Sequence, residues 1–234
     1  MVIKMGKIIG IGGGRYSDNE VLPIFERIVA ISGKKNPSVL FVPTAGFDDI
    51  SGDEHIFRLF VGLGCSVSAL FLTDETLTKA EIEEKILSCD IVYAGGGHLK
   101  FLMDTWNKTG AADAFRKAYD KGIILSGYSS GSMCWFEQGY DDCGENHEFM
   151  FVECLGLLPF SNCPHFEGGN WGSFEQAVRS TGLSGIALEN GAALFYEDGK
   201  YSVMHGNDGG DVYFIDSKKN YEKTLFNPDM FSEK

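Results

Sequence analysis

The stretch Gly127-Tyr128-Ser129-Ser130-Gly131 sets a serine between two glycines at the spacing Gly-x-Ser-x-Gly. Before it runs Ile123-Ile124-Leu125, which predicts a short buried parallel strand, and after it come small residues able to turn sharply into a helix. Glycine lacks the Cβ that would collide where a strand reverses into a helix, so the central side chain would stand exposed at the sheet's edge. This is the pattern of a nucleophile elbow. Ser129 is the candidate nucleophile, and the amide of Ser130 is a candidate donor to an oxyanion. A tight βα turn without chemistry would carry the same local pattern, so the partners of the serine decide its meaning.

A serine hydroxyl at neutral pH needs a general base, most often histidine. The five histidines are 55, 98, 147, 165 and 205. His165, whose backbone approach is fixed by Pro164, is the preferred base. His55 opens an amphipathic helical stretch and reads as a surface residue. His98 follows Gly95-Gly96-Gly97 and is expected on the same rim as the elbow. Glu189, in Ile186-Ala187-Leu188-Glu189-Asn190-Gly191, ends an apolar run and is the preferred acid to orient the base. His205 with Glu189 or Asp198 is the internal competitor. His147 lies among Glu137, Asp141, Asp142, Glu145 and Glu148, a crowd that a polar loop explains more simply than a metal site.

These residues need a frame. Strands are expected at 7–11, 39–42, 67–72, 90–94 and 122–126, alternating with helices at 21–31, 54–63, 79–87, 99–106 and 111–121. Thr78 followed by Glu81 is a capping-box signature for the third of these helices. Alternation of this kind predicts parallel crossover units, with ligands bound beyond the carboxyl ends of the strands. Three expected strand ends are small or glycine-rich: Gly12-Gly13-Gly14, Pro43-Thr44-Ala45-Gly46 and Gly95-Gly96-Gly97. The first has only part of a dinucleotide fingerprint, since Arg15 stands where the third glycine belongs. Residues 137–163 show no clear periodicity. A helical stretch is expected near 173–180, a hairpin at 192–196 and 200–204 turning at Asp198-Gly199, and a last short strand at 212–215.

The chain has 234 residues, a net charge of −13, 44% hydrophobic and 23% charged residues, which suits one soluble domain spanning 1–234. The negative charge disfavours nucleic acid and anionic membranes as partners. The N-terminal stretch lacks a signal-peptide pattern, no apolar run has membrane-spanning length, and the six cysteines show no Cys-x-x-Cys pairing. The expectation is a cytoplasmic protein with free thiols and, from base rates alone, a C2 homodimer.

Phe41-Val42-Pro43-Thr44-Ala45, Gly95-Gly96-Gly97, the elbow through Ser132, and Pro164-His165-Phe166 together give the chain a resemblance to the dipeptidase E and cyanophycinase family of serine peptidases. The resemblance implies an α/β fold, a three-layer sandwich with a mainly parallel sheet related to class I glutamine amidotransferases. It implies Ser129 as nucleophile, His165 as base, and amides near Gly96, Gly97 and Ser130 for the oxyanion, beside His98 where relatives often carry Asn. It allows Glu189 as the acid and leaves that role open to Asp141 or Asp142 as well. The implied activity is hydrolysis of short peptides without metal or cofactor. An esterase or amidase with the same residues, or a silent binding protein of the same fold, are the competing readings. The family's preference for an aspartyl substrate is not carried over, because the segment from Glu167 to Val178 contains two glutamates and no basic residue.

Overall fold

In a computed structural model, residues 6–15, 20–74, 76–167 and 169–231 are described. The first five residues, which entered the signal-peptide reading, lie outside them.

The strands are β1 (Lys7–Ile11), β2 (Ser38–Val42), β3 (Ser66–Ala69), β4 (Ile91–Ala94), β5 (Ile124–Tyr128), β6 (Phe136–Asp141), β7 (Met150–Glu153), β8 (Leu158–Cys163), β9 (Gly185–Leu188), β10 (Ala192–Glu197), β11 (Lys200–His205), β12 (Val212–Asp216) and β13 (Glu222–Leu225). The helices are α1 (Leu22–Ile31), α2 (Glu54–Gly62), α3 (Lys79–Leu87), α4 (Leu99–Thr109), α5 (Ala111–Asp120), α6 (Ser130–Met133) and α7 (Phe174–Ala177). They build two sheets, where the sequence pattern points to one. The first has seven strands in the order β11-β10-β1-β5-β4-β2-β3, with β1, β5, β4, β2 and β3 parallel and the β10–β11 hairpin antiparallel at one side. The second has six, β13-β12-β9-β8-β6-β7, in which β6, β8 and β9 are parallel.

The first sheet forms because its central strands are apolar on both faces. In β4, Val92 and Ala94 enter the core shared with α3, α4, α5 and the second sheet, while Ile91 and Tyr93 enter the core under α1 and α2. β2 divides in the same way, Leu40 and Val42 to one side and Val39 and Phe41 to the other. Period-two alternation thus builds two apolar layers from one strand. A smaller cluster of Tyr140, Cys163, Phe166, Phe174 and Ala187 covers the outer face of the second sheet. Each such large apolar side chain withdrawn from water contributes about 1.5–3 kcal/mol. The capping box at Thr78 and Glu81 is present as expected.

The registers of β1, β5 and β4 bring Ile11 level with Tyr128 and Ala94 level with Gly127. Hence Gly12, Ser129 and Gly95 leave the sheet along one carboxyl edge. In the second sheet Cys163 pairs with Ala187, so the residues following β8 and β9 emerge side by side. Among the described residues no helix is long and apolar enough to cross a membrane.

Candidate active site

The elbow forms where β5 meets α6. Ser129 has φ 56° and ψ −120°, a backbone conformation that costs a non-glycine residue about 1–3 kcal/mol and persists only when its surroundings hold it. They do so here: its amide donates to the Ile11 carbonyl at 3.1 Å, and its own carbonyl accepts from Ser132 at 2.8 Å and Met133 at 3.1 Å. Both flanking glycines are required by space. A Cβ on Gly127 would run into the carbonyl of Gly131, and one on Gly131 into the carbonyl of Ala94. The turn therefore packs backbone on backbone, lifting the Ser129 side chain to the edge.

His165 arrives from the other sheet, just beyond β8. Its amide donates to the Gly12 carbonyl at 2.9 Å, and the next amide, of Phe166, donates to Leu188 at 3.0 Å. The loop is thus pinned to the ends of both β1 and β9, with His165 at φ 54°. Nε2 of His165 lies 2.9 Å from Ser129 Oγ, and Nδ1 lies 2.8 Å from Oδ1 of Asn190. An amide oxygen only accepts, so it holds the proton on Nδ1 and leaves Nε2 free to accept from the serine hydroxyl. The Trp171 ring stands 5.4 Å from the imidazole, and Tyr128, whose hydroxyl donates to Gly14 at 3.0 Å, meets it edge-on at 6.0 Å.

The third position is where geometry and expectation part. Glu189 is close in sequence but its carboxylate turns away, accepting from the Asp211 amide at 2.8 Å beside β12. Successive side chains leaving a strand point to opposite sides, so the residue facing His165 is the next one, Asn190. Asn190 is itself fixed, since its amide donates to the Glu167 carboxylate at 2.7 Å. The carboxylate nearest this chain of contacts is thus one step removed from the imidazole. Sequence reasoning misses both Asn190 and Glu167 as supports of the base. The one visible signal is the Asn of the Glu-Asn-Gly turn after β9.

The remaining carboxylates and histidines take other places. Asp141 is 2% exposed, and its carboxylate accepts from the Leu99 amide at 2.9 Å, capping the first turn of α4. Burial pushes its carboxyl above the usual range. Replacing it by Asn, whose amide oxygen can still accept from Leu99, is expected to keep kcat within about threefold; a loss of about 10³-fold or more would mark Asp141 as the acid. Asp142 follows at the exit of β6, and Asp198 sits in the β10–β11 turn. His205 Nδ1 lies 3.0 Å from the Gly210 carbonyl, away from Ser129.

On the opposite side of the serine, a Cβ on Gly96 would lie 3.2 Å from Ser129 Cβ, so this backbone passes directly beside the Ser129 side chain. Gly97, at φ 141°, is held by its carbonyl accepting from Ser130 Oγ at 2.6 Å, and a Cβ there would strike the Ala45 carbonyl. His98 donates its amide to Ala45 at 2.8 Å, while its Nδ1 accepts from the Phe101 amide at 3.2 Å as the cap of α4. The structure therefore gathers Ser129, Ser130, His165, Gly96, Gly97 and His98 along one edge and leaves Glu189 facing β12.

Gly12-Gly13-Gly14 also acquires a reason. A Cβ on Gly13 would occupy the place of Asn190 Oδ1 and the His165 ring. The glycine makes room for the histidine–asparagine pair. Beside that pair lies a cleft of about 340 Å³ lined by Arg15, Glu20, Tyr128, His165, Glu167 and Asn190. Arg15 Nε is 3.4 Å from the Glu20 carboxylate. Among the described residues no cluster of three or more His, Cys, Asp or Glu could hold a metal ion. The larger cavity, about 590 Å³ between Phe160 and Lys218, is remote from this edge.

Comparison with known proteins agrees with this arrangement of elements. The chain is 29% identical over 216 residues to the uncharacterized peptidase YgaJ of Bacillus subtilis (strain 168), covering 90% of this chain and 92% of that one. It is 27% identical over 200 residues to the uncharacterized peptidase PM1590 of Pasteurella multocida (strain Pm70), covering 80% and 94%. Among solved structures, a candidate peptidase E protein of Listeria monocytogenes EGD-e superposes with a TM-score of 0.66 at 19% identity, over 86% of this chain and 98% of that one. A peptidase from an acI-B1 Actinobacterium does so at 0.68 and 17%, over 96% and 95%. These two share the fold of mixed sheets and helices. The family match runs from residue 8 to residue 204, most of the chain, and on it the protein belongs to Peptidase family S51.

Proposed function

We propose that this peptidase is of the serine type and hydrolyses short peptides. Ser129 Oγ attacks the scissile carbonyl while His165 Nε2 takes its proton, then returns it to the leaving amine. Water repeats the sequence to release the acyl group. Asn190 holds the imidazole in the tautomer this requires. The backbone at Gly96, Gly97 and Ser130 supplies the amides that stabilise the oxyanion. Sheet order and the elbow at the β5 edge support the amidotransferase-like sandwich as the parent architecture.

The observation that carries this reading is one pair of distances, 2.9 Å from Ser129 Oγ to Nε2 and 2.8 Å from Nδ1 to Asn190. A hydroxyl so placed has a base, and the base has a fixed tautomer. Support for small substrates comes from the cleft beside His165, whose roughly 340 Å³ accommodates a few residues.

The test is incubation of the purified chain with a panel of di- and tripeptides, read by mass spectrometry, with p-nitrophenyl acetate alongside. Peptide turnover that Ser129→Ala abolishes is the expected result. Rapid ester turnover with intact peptides would replace the reading by an esterase. No turnover of either class would leave a binding protein of this fold.

A further inference from the structure

We infer that Phe47, Phe101 and His98 form the subsite for the residue that supplies the scissile carbonyl, and that this subsite selects an aromatic or large aliphatic side chain. The inference rests on the peptidase reading of Ser129 and His165 and specifies its substrate.

Orientation follows from proton transfer. The leaving amine must receive its proton from His165, so the leaving half of the peptide lies on the His165 side of Ser129. That side is the end of β1, where Gly13 packs against the imidazole. The acyl half then extends the other way, over the ends of β4 and β2. There the backbone of Gly96 lies against Ser129, and a Cβ on Gly46 would lie 3.8 Å from the Gly96 carbonyl. Phe47 is the next residue.

Phe47 is 57% exposed, although its size would favour burial. It is held out by an unusual turn, since Phe47 (φ 59°) and Asp48 (φ 60°) are consecutive non-glycine residues in the left-handed region. The turn is fixed from below. The Asp48 carboxylate accepts from the amides of Leu72 at 2.5 Å and Thr73 at 2.8 Å, and the Phe47 amide donates to Thr44 at 3.0 Å. Strain at a rim, held by a half-buried anchor, is the mark of a side chain whose position matters. The Phe47 ring lies 4.5 Å from that of Phe101 and 6.1 Å, edge-on, from the imidazole of His98. The three rings make a shelf, pre-formed and half open, against which one more ring or a branched chain can stack.

Charge points the same way. The loop carrying Phe47 continues through Asp48, Asp49 and Asp53. The cation on the first turn of α4, Lys100, is paired with Asp104 at 2.6 Å. An acidic side chain on the shelf would sit beside a loop of like charge and gain no bidentate partner. An aromatic one would leave water for an apolar surface.

The test compares Phe-Leu, Ala-Leu and Asp-Leu as substrates of the wild-type chain and of Phe47→Asn and Phe101→Ala. Asn tolerates the left-handed backbone, so Phe47→Asn removes the ring and keeps the turn. Wild type is expected to cleave Phe-Leu at least tenfold faster in kcat/KM than Asp-Leu, and the Phe-Leu to Ala-Leu ratio should fall about tenfold in each variant. Circular dichroism confirms that the variants are folded. Asp-Leu as the better wild-type substrate, or equal loss on all three peptides in both variants, would overturn the subsite while leaving the serine peptidase intact. Failure of wild type to cleave any of the three would overturn both.

Discussion

Ser129→Ala is expected to lower turnover by about 10⁴-fold or more with the fold intact. The size follows from what is removed, the atom that forms the covalent bond in the proposed mechanism. The amides proposed for the oxyanion and the cleft remain, and any residual rate is expected to come from them. Stability should barely change. The Ser129 hydroxyl contributes one hydrogen bond, to a half-buried imidazole, worth about 1 kcal/mol net. Alanine inherits the strained backbone at φ 56° unchanged, since that conformation is imposed by Ile11, Ser132 and Met133 rather than by the hydroxyl. Parallel assays of kcat and of thermal unfolding check both halves. A large fall in Tm with the fall in rate would mean that the serine holds the turn together rather than performing chemistry.

Gly13→Ala is expected to cost about 10²-fold or more in kcat without touching any reacting atom. The added methyl would compete with Asn190 Oδ1 and the His165 ring for one volume, with His165 Cε1 only 2.7 Å away. The backbone at φ 156° adds strain that a thermal-unfolding assay reads beside the rate, while the crowded neighbours are side chains at a rim, which can yield by turning. What they cannot keep is the pair of hydrogen bonds at 2.8 and 2.9 Å that align the base. Misplacement of a catalytic group by about 1 Å commonly costs that much in rate. Single-turnover acylation kinetics separate this from weakened binding, because a displaced base slows acylation at saturating substrate. An unchanged acylation rate would show that His165 does not depend on the space glycine provides.

Legibility in the sequence followed the physics of each segment. β1, β2 and β4 read clearly because both their faces are buried and most of their residues are apolar, whereas β5, expected at 122–126, runs over Ile124–Tyr128, since Ser126 and Gly127 inside it carry no apolar signal. α3 read to the residue because Thr78 and Glu81 mark its start. In the second sheet only β12, expected at 212–215, and the apolar run of β9 were visible; β6, β7, β8 and β13 were not. In β6, Phe136-Glu137-Gln138-Gly139-Tyr140-Asp141, two of the buried positions are Gly139 and Asp141, which carry no apolar signal. Gly139 is there because Met133 and Leu99 leave no room for a Cβ, and Asp141 because it caps α4. Both choices are made by distant partners, invisible to local periodicity.

The site divides in the same manner. Ser129 and His165 stood out because elbow and Pro-His are local patterns. Asn190 did not, because the choice between positions 189 and 190 depends on which way the chain faces as it leaves β9. Glu189 had the chemically stronger side chain, and the strand's alternation gave the position to its neighbour. With a neutral partner the imidazolium loses the direct charge pairing that a carboxylate would supply, while the tautomer is still specified. Glu167, holding Asn190 through the backbone, brings negative charge near without contact to the ring.

The measurement that bears most directly on the central claim is covalent labelling with a serine-directed fluorophosphonate, followed by mapping of the modified peptide. It needs no knowledge of the substrate. An adduct on Ser129 in the wild-type chain, absent in Ser129→Ala and slowed about 10³-fold or more in folded His165→Ala, is the predicted result. Folded wild-type protein that takes no adduct, or takes one on Ser129 at the same rate without His165, would contradict an activated nucleophile and with it the catalytic assignment.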